Sequence, residues 1–144
     1  MAISSAYSMI NVAATLDGRE VIGLWDGDDA IVVAPGADKG TGVVGADGSG
    51  IFSVSANKSA TITLRLMHTS PTHRLLRQKL QRQQALGARA SAFPFTVVDT
   101  VSNEGGAAQK CHIMTEPSDQ NGNNATVREW VLWTVEWTPE IPNG

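Results

Sequence analysis

The sequence predicts a mainly β domain of antiparallel strands with one flanking α-helix, and three observations point there. Short segments alternate apolar and polar residues at the period of a strand, with Gly, Asp and Asn clusters between them. A single stretch, Pro71–Leu86, instead carries leucines at the period of a helix. The 144 residues contain no apolar run of membrane-spanning length, and that length suits one domain over residues 1–144 with its own core.

In chain order, Met9–Leu16 sets Ile10, Val12, Ala14 and Leu16 on one side, as a half-buried strand does. Val21–Trp25 and Ala30–Ala34 read as a hairpin turning through Asp26-Gly27-Asp28-Asp29, where glycine supplies the positive φ of a tight turn. Gly36–Gly50 is glycine-rich and reads as an extended loop. Phe52–Ala56 and Ala60–Met67 read as a second hairpin. In its second strand Ala60, Ile62, Leu64 and Leu66 face one way, while Thr61, Thr63, Arg65 and Met67 face the other.

The helix has clear ends: Ser70 is a good N-cap, Pro71 suits the first turn, and Gly87 follows the last leucine as a stop. Leu75, Leu76, Leu80 and Leu86 share one side, but Lys79 and Gln83 project into that stripe. Either they snorkel to its edge or the helix lies at a seam between subunits. Beyond it, Phe95–Val101 and Ala107–Met114 read as strands joined through Asn103-Glu104-Gly105-Gly106. A polar loop, Glu116–Ala125, leads to Val127–Trp137. There Val127, Val131, Trp133, Val135 and Trp137 share one face and Trp130 and Leu132 the other, so both faces are expected to be partly buried. Pro139-Glu140-Ile141-Pro142 cannot continue a sheet interior.

Charge is unevenly spread behind a net of −3. Residues 48–98 hold no acid but seven bases, Lys58, Arg65, Arg74, Arg77, Lys79, Arg82 and Arg89, and acidic segments flank them on both sides. Two readings stand: a solvated helix face, or complementarity between the basic middle of one copy and the acidic flank of another. A nucleic-acid reader fits poorly, because the balance is acidic and no aromatics are interleaved with the bases.

No catalytic pattern emerges, so the chain reads as non-enzymatic. His68, His73 and His112 lack partners at metal-ligand spacing, and neither a metal nor a cofactor is expected. Cys111 and His112 are neighbours on a strand and point to opposite faces, which rules out a nucleophile–base pair. Asp26, Asp28 and Asp29 lack the later oxygen ligands of a calcium loop and suit a turn. One cysteine permits no intramolecular disulfide and fits a chain folded in a reducing cytoplasm.

Several segments taken in order resemble one family. Gly45-Ala46-Asp47-Gly48 and a strand precede Lys58-Ser59-Ala60-Thr61-Ile62-Thr63-Leu64-Arg65-Leu66, which runs through Thr69-Ser70-Pro71 into a helix. A glycine-containing turn, a strand ending near Pro117, an Asn/Gly loop and a closing strand with Glu129-Trp130 follow. This order resembles the tail tube proteins of contractile-tailed bacteriophages, most clearly from residue 40 onward. The resemblance implies a β-sandwich or partly open barrel like those of tail tubes and type VI secretion tubes. It implies homohexameric rings stacked into a tube that conducts double-stranded DNA, with sheath, baseplate and tape measure proteins as partners and no membrane binding by this chain. The location it implies is the virion tail, after synthesis in the host bacterial cytoplasm. Four strands from each of six subunits would close a wall of roughly 24 strands, wide enough for a water-filled channel.

On that reading Asp38, Lys39, Val43, Val44 and Asp47 are candidates for contacts between subunits or rings. Arg74, Arg77 and Arg82 are candidates for an outer, sheath-facing helix. Thr61, Thr63 and Arg65 are candidates for the lumen, as is strand Phe52–Ala56, with Arg65 neutralised by an acid from a neighbouring copy. Two alternatives stand beside it: the inner tube of a phage-tail-like bacteriocin or secretion system, and a soluble β-sandwich binding module with an exposed aromatic platform.

Overall fold

The structure is a computed structural model and describes residues 2–143; Met1 and Gly144, the ends of the expected domain, lie outside them. The strands are β1 (Val12–Leu16), β2 (Arg19–Glu20), β3 (Ile31–Pro35), β4 (Gly40–Val44), β5 (Gly50–Val54), β6 (Ala60–Met67), β7 (Phe93–Asp99), β8 (Gly105–Thr115), β9 (Val127–Thr134) and β10 (Thr138–Glu140). The α-helix, α1, is Thr72–Leu86. The chain is therefore mainly β with one flanking helix, and the strand ladders are antiparallel.

One sheet runs β2-β1-β7-β8-β9-β6-β3, with β10 beside β8, and β4-β5 stands apart as a second sheet. Although β1 and β3 lie towards opposite ends of that order, Val12, Ile31, Val33 and Val97 line a common cleft of about 650 Å³. The sheet is thus curled round on itself as a partly open barrel with its seam at this cleft. Inside it, alternation decides which side chains meet. Ala60, Ile62, Leu64 and Leu66 of β6 are buried, and Ile62, Leu64 and Leu66 share one core with Phe95, Trp130 and Leu132. Each such aliphatic side chain contributes about 1.5–3 kcal/mol by leaving water. α1 adds Leu76, fully buried, with Leu75 and Leu80 packed at the margin, whereas Leu86 is exposed.

The helix starts at Thr72, with Pro71 rather than Ser70 in the cap position, and the Ser70 hydroxyl oxygen accepts from the Thr72 N–H at 3.3 Å. At the other end Gly87, with φ 59°, donates its N–H to the Gln83 carbonyl. The two residues that spoil the leucine stripe have partners. Lys79 Nζ lies 2.6 Å from Asp17 Oδ2 and 5.2 Å from the Phe93 ring. Gln83 clamps β8: its Nε2 donates to the Ile113 carbonyl at 2.8 Å, and its Oε1 accepts from the Ile113 N–H at 3.0 Å. Ile113 lies beyond Phe93↔Cys111, where β7 stops, so a side-chain amide replaces the missing strand.

Several expectations are corrected. Val21–Trp25 and Ala30–Ala34 are not a hairpin, because both flanks pair with β6. Leu24 bridges Leu66 and Ile31 pairs with Leu64, so Asp26–Asp29 bulges from one interrupted edge strand. Arg65 holds both sides of the bulge, accepting from the Trp25 N–H and donating to the Ala30 carbonyl. Gly36–Gly50 is not loop throughout: β4 lies within it and pairs with β5. Phe52–Ala56 therefore does not pair with Ala60–Met67, whose neighbours are β3 and β9. Met9–Asn11 is a 3-10 turn that leaves Ile10 exposed and outside β1. In β9 the core face is Arg128, Trp130, Leu132 and Thr134, while Trp133 and Val135 are exposed. The strand ends at Thr134, and Pro139 sits in the short β10, whose Thr138, Pro139 and Glu140 pair with Ala107, Gly106 and Gly105.

Candidate functional site

The β4-β5 hairpin projects as an arm. Its sequence accounts for its shape: the Phe52 ring lies over Gly40, where a Cβ would overlap it. At the tip Gly45 donates its N–H to the Ser49 carbonyl at 2.7 Å, and Gly48 takes a φ of 90°. Asp47 Oδ1 accepts from the Ser49 N–H at 3.0 Å, and that bond holds the carboxyl below the usual carboxylate range. Cross-strand pairing puts Val43 beside Ile51 on one face and leaves Val44, Phe52 and Val54 on the other. Neither face is covered, and Val54 is 81% exposed. A two-stranded hairpin is marginal alone in water, and bare apolar surface on both faces marks an interaction site. Of the residues expected at subunit contacts, Val43 and Val44 lie on this arm, Asp47 in its tip, and Asp38 and Lys39 at its base. Phe52–Ala56 belongs to the arm rather than to the barrel wall.

Thr61, Thr63 and Arg65 share the outward face of β6, half-buried between β3 and β9. Thr61 lies opposite Trp133, Thr63 opposite Val131, and Arg65 opposite Glu129. Arg65 Nη1 bonds Glu129 Oε2 at 2.9 Å, and Nε lies 3.7 Å from Asp29 Oδ1. The expected acid from a neighbouring copy is therefore replaced by two from the same chain.

The basic middle is largely matched within the chain. Arg77 meets Glu116 at 2.6 Å and Asp119 at 3.5 Å, Lys79 meets Asp17, and Lys58 lies 4.0 Å from Glu136. With Arg65, four of the seven bases have an acid from a flanking segment, so the charge asymmetry folds up on itself. Arg74 and Arg82 are exposed on α1, with no ion pair among the described residues. Of the three helix candidates, only Arg77 is tied down.

One polar network was not anticipated. Arg128, on the core face of β9 and 7% exposed, donates to the carbonyls of Ser118 and Gln120 at 2.7 and 2.8 Å and to His68 Nε2 at 3.1 Å. Next to it Trp130 Nε1 donates to His73 Nδ1 at 3.0 Å, and His73 Nε2 bonds the Met67 carbonyl at 2.8 Å. A charged residue in register with Trp130, Leu132 and Thr134 was the sequence signal for this cluster.

Chemistry is otherwise sparse. Cys111 is buried, and burial pushes its thiol up to about 11, while His112 is exposed on the other face. Among the described residues no group of His, Cys, Asp and Glu is placed to hold a metal ion, and no helix is long and apolar enough to cross a membrane.

Residues 4–138 match the family model of the bacteriophage PhiTE tail tube protein. Three solved structures share the fold. The sheath/tube terminator of an extracellular contractile injection system (PVC) in its extended state aligns with TM-score 0.70 and 13% identity, over 97% of this chain and 100% of that one. The PVC sheath-tube complex in its extended state aligns with TM-score 0.66 and 12% identity, over 96% and 93%. The tube-terminating cap of the anti-feeding prophage gives 0.64 and 12%, over 97% and 94%. No curated protein sequence matches the chain.

Proposed function

The chain belongs to the bacteriophage PhiTE tail tube protein family, structural components of the phage tail, and on that premise we propose that it assembles into the inner tube of a contractile tail. Six copies form a ring, rings stack, and the bore conducts double-stranded DNA from capsid to host. The observation that carries this reading is the arm: its exposed valines, Ile51 and Phe52 need a surface that the subunit itself does not supply. A neighbouring copy supplies it, through Asp38, Lys39, Val43, Val44 and Asp47.

The outward face of β6 turns to the bore. Thr61 and Thr63 are short and uncharged, and Arg65 is outnumbered by Glu129 and Asp29. Such a wall repels phosphate weakly and gives DNA no cation to settle on, whereas a basic lining would hold it by counterion release. α1 lies on the outside with Arg74, Arg77 and Arg82 towards the sheath. Baseplate and tape measure proteins meet the tube at its end and within it. Subunits are made in the host cytoplasm and work in the virion tail.

Negative-stain microscopy with light scattering tests the proposal on wild type and on Val43→Asp with Phe52→Ser. Hollow tubes with six-fold end views are expected from wild type. The variant should stay monomeric with an unchanged circular dichroism melt, since neither side chain touches the core. The reading fails if wild type stays monomeric even when seeded on baseplates, or if the variant assembles normally. Single rings that never elongate would instead favour a tube terminator, the role named for two of the similar structures.

A further inference from the structure

The Arg128 network ties the loop 116–126 to the rest of the barrel. Arg128 holds the Ser118 and Gln120 carbonyls, Arg77 holds Glu116 and Asp119, and Thr126 Oγ1 donates to the Gln120 carbonyl. The network works only with neutral imidazoles. His73 must accept from Trp130 at Nδ1 while donating from Nε2 to Met67, and His68 must accept from Arg128 at Nε2. A proton on His73 Nδ1 would set two donors head to head at 3.0 Å.

We propose that His73 is an acid-sensitive latch that fastens the start of α1, which carries Arg77 and its hold on the loop 116–126, to β9 at neutral pH and releases it in mild acid. The surrounding charges favour release. Arg77 of α1, 5.0 Å over the Trp130 ring, and Arg128 of β9 are fixed cations beside His73. Glu116 and Asp119 of the loop, the nearby acids, are already engaged by those arginines. Burial is the largest influence on His73 and lowers its pKa; the Met67 carbonyl opposes this, and Arg128, Arg77 and His68 lower it further. A histidine whose pKa is depressed on folding adds stability that is fully present above its unfolded value of 6.5 and is lost as pH falls below it.

Hydrogen–deuterium exchange of the full chain at pH 7 and pH 5, corrected for intrinsic rates, reads the latch directly. Peptides covering residues 68–76 and 115–130 should open more at pH 5. The limit between the two pH values is about twenty-fivefold, for an imidazole neutral when latched and near pKa 6.5 when free. A peptide covering residues 93–99 serves as reference and should not change. His73→Gln keeps a donor and an acceptor without titrating and should flatten the pH dependence. The latch is overturned if wild type opens equally at residues 93–99, if it shows no acid response, or if His73→Gln keeps the wild-type slope. The wild-type comparison stands even if a variant folds poorly.

Discussion

Replacing Gln83 with leucine would complete the apolar stripe of α1, and a reading from hydrophobicity alone expects a stabler protein. The structure requires the reverse. Gln83 satisfies both the N–H and the carbonyl of Ile113, at 3.0 and 2.8 Å, where β7 has ended and Ile113 is only 5% exposed. Leucine fills the same space without a donor or acceptor and keeps water out. The two orphaned backbone groups together cost about 4 kcal/mol at the middle of their range, and the added apolar burial returns about 1–2 kcal/mol, leaving a net loss centred on about 2–3 kcal/mol. Gln83→Ala admits water to the same two groups and should lose less. Urea denaturation followed by circular dichroism and tryptophan fluorescence measures this: with a slope of about 1–3 kcal/mol/M, the leucine midpoint should fall by roughly 1–2 M. A leucine variant as stable as wild type, or stabler than alanine, would refute the clamp.

Gly105, with φ 143°, has no room for a side chain, since a Cβ there would strike the Val97 carbonyl oxygen. Gly105→Ala should destabilise by about 3 kcal/mol or more, seen as a lowered melting temperature, because β7 and β8 are forced apart where Gly105 pairs with Val98. Cys111, pushed up to about 11 by burial, should resist iodoacetamide at pH 8. The thiolate fraction there is roughly a hundredfold below that of a free cysteine, so native labelling should lag unfolded labelling by at least that factor and gain only towards alkaline pH.

What the sequence made legible follows from where one signal dominates. In β6 every second residue is aliphatic and the others are not, so alternation alone identified Ala60, Ile62, Leu64 and Leu66 as the inner face, all of them buried. The helix was readable because Ser70 and Gly87 mark its ends. Asp26-Gly27-Asp28-Asp29 misled because the same turn chemistry serves a hairpin and a bulge in one edge strand; what distinguishes them is pairing with β6, far along the chain. β4 was hidden by its glycines, which break alternation while making room for the Phe52 ring. In β9 both faces carry large apolar residues, so alternation left both as partly buried, and the inner face even holds a charge, Arg128. The ion pairs of Arg65, Arg77 and Lys79 join residues distant in sequence, so composition recorded an imbalance that folding removes.

The sheet order also sets a timetable. β7, β8 and β9 are neighbours both in the chain and in the sheet, but β1 must wait for β7, which comes after the arm and the whole of α1. Domains dominated by such distant pairings fold over milliseconds to seconds. On the ribosome the delay is longer: at about 5–20 residues per second, β7 follows β1 by roughly 4–16 s. Throughout that interval β1 has only the two-residue β2 beside it, and the arm, closed by a local turn, is free to form first. The final third of the chain decides when a newborn chain shuts its open edges, and so how long those edges stay free to pair with another copy.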